Sequence, residues 1–268
     1  MTSSEAILTV RSVRKAFGGV VAVNVERLGV EPGRITSLIG PNGAGKTTLF
    51  DIVTGFVAAD GEILFNGLPI HGKPTHAIAR QGLVRTFQLT RALGRMSVLE
   101  NMMLASPDQP AERLGGLVRS AFKVRELETD VRARAGELLE RFNLTHLSDE
   151  YAGRLSGGQK KLLELARALM NRPRMVLLDE PMAGVNPALG EQLLSYVQEL
   201  RDEGMTFLLV EHDMDVIMRV SERVVVMSDG KIIADGTPGA VRTDPAVITA
   251  YLGEHGAEVV ASVEEDER

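Results

Sequence analysis

A glycine-rich segment at residues 40–47 has the residue types needed to hold a phosphate group. It reads Gly-Pro-Asn-Gly-Ala-Gly-Lys-Thr, which fits the pattern G-x-x-x-x-G-K-[ST], and it lies between a predicted strand and a predicted helix. Glycines let the backbone approach an anion closely, and the N–H groups at the start of the helix point toward it. Lys46 would add a positive charge near the β- and γ-phosphates, and the Thr47 hydroxyl suits Mg²⁺. The candidate nucleotide-binding residues are Gly40, Pro41, Asn42, Gly43, Ala44, Gly45, Lys46, Thr47 and Thr48.

Asp179 and Glu180 follow an apolar strand predicted over residues 175–178, and Pro181 comes next. Because side chains alternate along a strand, the two carboxylates point to opposite sides and can take different roles. Asp179 would hold Mg²⁺, directly or through water, and Glu180 would orient and deprotonate an attacking water. Acids and proline are also common where a strand ends in a turn. The phosphate loop in the same chain favours the catalytic interpretation.

A third motif, Leu-Ser-Gly-Gly-Gln at residues 155–159, opens a predicted helix that continues through Leu162, Leu165 and Leu169. Two glycines at the start of a helix leave free N–H groups and a positive helix end facing outward. The plain alternative is an ordinary glycine-containing loop before a helix. With this pentapeptide and the order of the other motifs, the chain resembles the ATP-binding-cassette ATPases over residues 6–253. By that resemblance, the residues that clamp a nucleotide are Ser156, Gly157, Gly158 and Gln159.

The resemblance assigns roles to three further residues. Phe17 is similar to the aromatic residue that stacks on adenine, Gln88 to the glutamine that reaches Mg²⁺ and the attacking water, and His212 to the switch histidine that contacts the γ-phosphate. Each has a plainer alternative: a core phenylalanine, a solvated glutamine and a structural histidine. The implied catalytic set is Glu180, His212 and Gln88, and the implied Mg²⁺ ligands are Thr47, Gln88 and Asp179.

The resemblance also implies partners. In this family the signature motif of one subunit binds the nucleotide held by the partner's phosphate loop, so two sites form only in a head-to-tail dimer. The second ATPase subunit would be a different but similar chain, with a second copy of this chain as the alternative. Most of the family has aspartate where this chain has Asn186, and asparagine keeps the acceptor but drops the charge, which leaves the coupling between the two sites open.

Within the family, the resemblance is strongest to the nucleotide-binding subunit of branched-chain amino-acid importers. It implies two transmembrane permease subunits, an extracytoplasmic solute-binding protein and a location on the cytoplasmic face of the membrane. Related urea and lipopolysaccharide ATPases share part of the pattern and stay open as alternatives. The stretches that carry the resemblance are residues 17–20, 84–88, 98–101, 106–142, 180–187, 210–214 and 250–253.

The elements that must position these residues read as an α/β fold: a P-loop NTPase core with a mainly parallel sheet, an N-terminal antiparallel β part and an inserted helical subdomain. The expected division is an ATPase core of residues 1–88 and 161–253, a helical signature subdomain of residues 89–160 and an acidic tail of residues 254–268. Asn66-Gly67 predicts a hairpin. The other predicted strands cover residues 7–10, 20–25, 35–39, 206–210, 223–227 and 231–234, and the predicted helices cover 46–53, 190–202 and 216–222.

Composition excludes several classes of function. The chain has 268 residues with 30 Lys and Arg against 36 Asp and Glu, a formal net charge of −6, which disfavours nucleic acid as a partner. It has no cysteine, which excludes disulfides and zinc–thiolate sites. It also has no apolar run of membrane-spanning length, so a partner must provide the span if the protein works at a membrane. A soluble cassette ATPase acting as a clamp on DNA or ribosomes and a small-molecule P-loop kinase remain as alternatives of another class.

A short segment after Gln88 is rich in apolar and flexible side chains. Such side chains suit a groove that must repack when a docked helix of a membrane subunit moves. The alternative is that they fill the core of the helical subdomain. The residues concerned are Leu93, Met96, Val98, Met102 and Met103.

Overall fold

The computed structural model describes residues 6–86, 93–107 and 121–251, with side chains omitted for 121–124. Its strands form a four-stranded antiparallel sheet, in the order β2-β1-β4-β5, and a six-stranded sheet, in the order β10-β9-β3-β8-β7-β6. The strands are β1 Leu8–Phe17, β2 Val20–Val30, β3 Ile35–Ile39, β4 Asp60–Phe65, β5 Leu68–Pro69, β6 Leu83–Arg85, β7 Met175–Asp179, β8 Thr206–Val210, β9 Arg223–Ser228 and β10 Lys231–Gly236.

The antiparallel sheet is built from hairpins whose outer face is polar. Asn66 and Gly67 both have positive φ, 50° and 74°, and join β4 to β5 as a tight turn, which confirms the predicted hairpin. Strands β1 and β2 run several residues beyond their predicted ends. Their extensions alternate buried and exposed residues around charged side chains, a pattern that one solvated face permits.

The six-stranded sheet is parallel except for β10, which runs antiparallel to β9. Every residue of β3, β7 and β8 is buried, as expected for parallel strands covered on both faces. Strand β3 lies between β8 and β9, and the edge strands of this sheet are β6 and β10. The carboxyl ends of β3, β6, β7 and β8 therefore meet at one edge of the sheet, where ligands bind in folds of this class. The predicted α/β architecture with a mainly parallel sheet is confirmed.

The helices begin where the sequence offers caps. Asn186 caps α6 by accepting from the Leu189 N–H at 3.0 Å and Pro187 is the first helical residue, so this helix starts three residues earlier than predicted. Asp213 caps α7 in the same way, so this helix starts at Met214, two residues earlier than predicted. Residues 245–251 are also helical. The helices are α1 Lys46–Val53, α2 Thr75–Arg80, α3 Val98–Leu104, α4 Ala121–Arg141, α5 Gly157–Met170, α6 Pro187–Asp202, α7 Met214–Val220 and α8 Pro238–Arg242.

Helices α3, α4 and α5 pack together and share one apolar cluster with the face of the parallel sheet that carries Val176 and Phe207. Val98 and Met102 lie fully buried in this cluster, so the core interpretation is correct for these two, whereas Leu93 is exposed. Among the described residues, no helix is long and apolar enough to cross a membrane. The division of the chain into core and helical subdomain stays a prediction, and the tail, residues 254–268, lies outside the described residues.

Candidate nucleotide and metal site

The phosphate loop joins β3 to α1 along a path that only glycine can follow at two positions. Gly40 has φ 145° and Gly45 has φ 96°. A Cβ atom on Gly40 would lie 2.0 Å from the Met227 carbonyl oxygen, and one on Gly45 would lie 2.3 Å from the Ala22 carbonyl oxygen. Both backbone conformation and space therefore require glycine, and the neighbouring strands β2 and β9 hold the loop from outside.

The start of α1 is a positively polarised site. Gly45 stands at the N-cap without a side-chain cap, and the first turn carries no acid. Lys46 donates from Nζ to the carbonyl oxygens of Gly40, at 2.6 Å, and Pro41, at 2.9 Å, so its ammonium group lies over the loop. Thr47 is exposed on the first turn and Thr48 is half-buried. The N–H groups of a helix's first turn and an ammonium group in one place are suited to bind phosphate. Of the remaining loop residues, Asn42 and Gly43 are exposed and Ala44 is buried.

Phe17 ends β1 beside the glycine turn to β2, with Val20 as its partner across the hairpin. Its side chain is 52% exposed, so the core interpretation of this residue is wrong. The Lys15 ammonium lies 5.2 Å from the ring centroid, a distance typical of a cation–π contact. An exposed ring at this position is available to stack on a flat base.

Asp179 and Glu180 lie in different surroundings because β7 ends at Asp179 and Glu180 belongs to the turn that follows, so the strand alternation expected for this pair does not extend to Glu180. Asp179, the last residue of β7, is 4% exposed, and its Oδ2 accepts from Arg85 Nη2 at 2.6 Å. Glu180 is half-buried with a positive φ of 46°, and its N–H donates to the Val210 carbonyl at 2.9 Å. Lys161 of α5 donates to the Glu180 carbonyl at 3.2 Å. Residues other than glycine rarely adopt this left-handed backbone conformation, and those that do are often found at functional sites.

His212 lies just beyond the end of β8 and directly after Glu211, a buried acid that the sequence analysis did not single out. The His212 side chain is 72% exposed and free to meet a ligand. Glu211 is 1% exposed, and it accepts from the Met182 N–H at 2.8 Å and the His212 N–H at 3.3 Å. Burial raises the pKa of Glu211, and the two N–H donors oppose that rise. Glu211 therefore ties the turn after Glu180 to the strand end that carries His212.

The signature motif begins α5 with a reciprocal cap. Ser156 Oγ accepts from the Gln159 N–H at 3.2 Å, and Gln159 Oε1 accepts from the Ser156 N–H at 2.9 Å. Ser156 and Gly157 are exposed. Gly158, which was expected to face outward, is buried. A Cβ atom there would lie 1.6 Å from Leu189 Cδ2, so this glycine allows α5 to pack closely against α6.

Sheet register brings most of the candidate residues together. Leu38 of β3 and Asp179 of β7 both pair with Val210 of β8, so the phosphate loop, the two carboxylates and His212 leave adjacent strands at the same edge. The signature motif instead packs near the turn after Glu180, through Gly158 and Leu189. Gln88 lies outside the described residues.

Two comparisons with known proteins bear on identity. Residues 23–183 match the family described as ABC transporter, and residues 231–257 match the family described as branched-chain amino acid ATP-binding cassette transporter. The chain belongs to the ABC transporter family. As such it is an ATP-binding subunit and an ATPase, of a kind that works with membrane permease components.

Relatives match this ABC subunit over nearly their whole length. The probable branched-chain amino acid transport ATP-binding protein LivG of Archaeoglobus fulgidus is 42% identical, covering 96% of this chain and 99% of the relative. BraF of Pseudomonas aeruginosa, a high-affinity branched-chain amino acid transport ATP-binding protein, is 44% identical over 94% of this chain and 99% of the relative. The crystal structure of the ADP conformation of MJ1267, an ATP-binding cassette of an ABC transporter, is 37% identical, with TM-score 0.78 over 92% of this chain and 99% of that one.

Proposed function

We propose that this chain is the ATPase of an importer of branched-chain amino acids. The observation that carries the proposal is the similarity to LivG and BraF, which extends over at least 94% of this chain and 99% of each relative. The match at residues 231–257 supports the same substrate class, because the matching family is described as branched-chain amino acid ATP-binding cassette transporter. The urea, lipopolysaccharide, clamp and kinase alternatives have no comparable support.

We propose that ATP binds with its β- and γ-phosphates on the loop of residues 40–47. The N–H groups of α1 and the ammonium group of Lys46 stabilise the negative charge, and the ammonium leaves the Gly40 and Pro41 carbonyls to meet the phosphate. The exposed ring of Phe17 stacks on the adenine. Strand β2 supports this placement, because it pairs with Phe17 through Val20 and lies beside Gly45 of the loop through Ala22.

Mg²⁺ fits the donor set that this edge of the sheet offers. A threonine hydroxyl and a carboxylate are hard oxygen donors of the kind that Mg²⁺ takes, together with phosphate oxygens and water. Thr47 and Asp179 would hold the ion, with Gln88 as the third protein group. When bound, Mg²⁺ supplies charge stabilisation to the β- and γ-phosphate oxygens.

Glu180 is the proposed general base. Its backbone is fixed from two sides, by the Val210 carbonyl and by the Lys161 ammonium, so the carboxylate is aimed by the turn that follows Asp179. The water it deprotonates attacks the γ-phosphate, and the exposed imidazole of His212 contacts that phosphate from the neighbouring strand end.

Two cassettes and two membrane subunits make up the proposed assembly. Ser156 and Gly157 are exposed at the start of α5, where a neighbour's nucleotide can reach the helix N–H groups. ATP would join the two cassettes head to tail, and hydrolysis would let them part. The second cassette is a similar chain, permease subunits hold both at the cytoplasmic face of the membrane, and a solute-binding protein delivers the amino acid outside.

Replacing Glu180 by Gln tests the hydrolytic step. We expect the E180Q subunit, assembled in its transporter, to hydrolyse ATP at least ~10²-fold more slowly, the lower end for losing a general base, while ATP binds with unchanged affinity. Glu191, exposed on α6 and paired with Arg219 at 2.8 Å, offers the matched control E191Q, which should keep full turnover. Full turnover by E180Q would remove Glu180 from this role.

Reconstitution tests the substrate. In proteoliposomes that hold the permeases and both ATPase subunits, the binding protein loaded with leucine should stimulate ATP hydrolysis and leucine uptake, and urea should do neither. Stimulation by urea without any response to leucine, isoleucine or valine would contradict the substrate class and leave the ATPase assignment intact.

A further inference from the structure

A buried arginine bridges the proposed metal carboxylate to the phosphate-loop helix. Arg85, the last residue of β6, donates from Nη2 to Asp179 Oδ2 at 2.6 Å and from Nη1 to Asp51 Oδ1 of α1 at 2.5 Å. The Arg85 side chain is 8% exposed, and its guanidinium carbon lies 5.6 Å from the centroid of the Phe50 ring. Three elements that meet at the site are therefore joined through one guanidinium group.

The cost of burying this group points to a role beyond stability. Arg85 Nε is buried and has no acceptor among the described residues, so the guanidinium is not fully hydrogen-bonded. Replacing a buried ion pair by apolar residues is often neutral or stabilising. A buried ion pair of this kind is therefore weak evidence of a role in stability, and the bridge that Arg85 makes between Asp179 and Asp51 needs another explanation.

We propose that Arg85 is a positioning residue for the metal carboxylate. It holds Oδ2 of Asp179, so that the carboxylate offers its other oxygen to the cation, and its second arm fixes that orientation relative to α1 through Asp51. This inference rests on the proposed function, because it takes Asp179 as a Mg²⁺ ligand. Ligating carboxylates are commonly oriented by such hydrogen-bonding partners, whose loss weakens metal binding or activity by 10–100-fold.

Two effects of removing Arg85 have opposite signs, which makes the proposal testable. If Arg85 were only a competing cation, its removal would leave a more negative site and Mg²⁺ would bind more tightly. If Arg85 positions Asp179, the freed carboxylate can rotate away from the orientation that suits the cation, and Mg²⁺ binds more weakly. The direction of the change in metal affinity therefore separates the two.

The experiment measures metal affinity without turnover. The affinity of the full-length chain for a fluorescent ADP analogue is measured at a series of Mg²⁺ concentrations. The quantity of interest is the Mg²⁺ concentration that gives half of the full rise in this affinity. Mn²⁺ binding in the presence of ADP is followed in parallel by electron paramagnetic resonance. We expect Arg85→Met to raise the half-saturating Mg²⁺ concentration by ~10-fold or more, while nucleotide affinity in EDTA stays within about twofold of the wild-type value.

Arg223 supplies the matched control. It is also an arginine with two hydrogen bonds to carboxylate oxygens, in this case both of Asp235, at 2.7 and 2.5 Å where β9 meets β10, and it plays no part in the proposed site. R223M should leave the metal dependence unchanged. R85K keeps the charge but replaces the planar guanidinium by a single ammonium group. Asp51→Asn removes the carboxylate to which the Nη1 group of Arg85 donates. Each of these variants should lose less Mg²⁺ affinity than R85M. If R85M does not fold, these two variants decide.

The outcomes separate the inference from the function on which it rests. A rise in metal affinity, or no change, in R85M and R85K overturns the positioning role while nucleotide binding stands. A comparable loss in R223M overturns it too, because the effect is then a general loss of stability. A wild-type chain that fails to bind the nucleotide analogue overturns both proposals.

Discussion

Adding one methyl group to Gly158 should destabilise the protein, whereas the same change at Gly157 should not. A Cβ atom on Gly158 would lie 1.6 Å from Leu189 Cδ2 and 2.6 Å from Leu189 Cγ, far inside contact distance. Rotation about the outer bond of Leu189 moves Cδ2 but not Cγ, so the side chain must change χ1 or α6 must shift. Overpacking of this kind costs about 1–3 kcal/mol.

Gly157→Ala is the matched control, because its Cβ atom would lie 3.7 Å from the Gly184 carbonyl oxygen, an ordinary contact. Both substitutions gain up to about 1 kcal/mol from the preference of a helix for alanine over glycine. Since that gain is shared, the difference between the variants isolates the clash. We expect the free energy of unfolding of G157A to exceed that of G158A by about 1–3 kcal/mol.

Urea denaturation of the two variants, followed by circular dichroism, measures this difference. A second pair of proteins, L189A and the double variant L189A/G158A, removes the clash at its source. In the L189A background, Gly158→Ala should cost less than about 0.5 kcal/mol, and the gap between the two backgrounds is the coupling energy. Equal stability of G157A and G158A, or an unchanged cost in the L189A background, would refute the packing explanation of this glycine.

Two further predictions concern Glu211 and Asn186. Because the folded-state pKa of Glu211 is raised, its contribution is fully present below the ordinary carboxyl pKa and is lost as pH rises through the raised value. The unfolding free energy of the wild type minus that of Glu211→Gln should therefore fall as pH rises from 4 to 8, and a flat difference in urea melts would contradict this. Asn186→Ala should lower the free energy of unfolding by about 1 kcal/mol, because the α6 cap is lost. Asn186→Asp should match or exceed the wild type in the same quantity, because its charge faces a helix N-terminus. Both are measured by urea denaturation, and equal losses in the two variants would exclude a capping role.

Local signals predicted the parts of the fold and the site that depend on adjacent residues. Strand β8 and helix α1 have the predicted bounds, because an apolar run and a glycine-to-helix junction are set by neighbours in the chain. The start of α6 was missed because the cap at Asn186 and the proline at the first helical position were interpreted only as part of a loop.

The interactions that the sequence could not reveal are those set by register between distant segments. Arg85 pairs with Leu177 in the ladder between β6 and β7, and this register brings its guanidinium to Asp179, 94 residues away in the chain. The contact of Gly158 with Leu189 likewise depends on how α5 and α6 pack. For Glu211, a signal existed: an acid directly after a buried parallel strand, beside another strand that ends in two acids.

The position of β6 in the sheet has a mechanical consequence. Strand β3, the root of the phosphate loop, is bonded to neighbours on both sides, whereas β6 has only three residues and is bonded to β7 alone. Detaching its end, where the Thr86 N–H donates to the Leu177 carbonyl at 2.9 Å, breaks few backbone hydrogen bonds, each worth about 1 kcal/mol net. The β6 margin is thus held by fewer backbone hydrogen bonds than the strand beneath the phosphate loop, and the ion pairs of Arg85 with Asp179 and Asp51 are the link through which a displacement of β6 would reach the site.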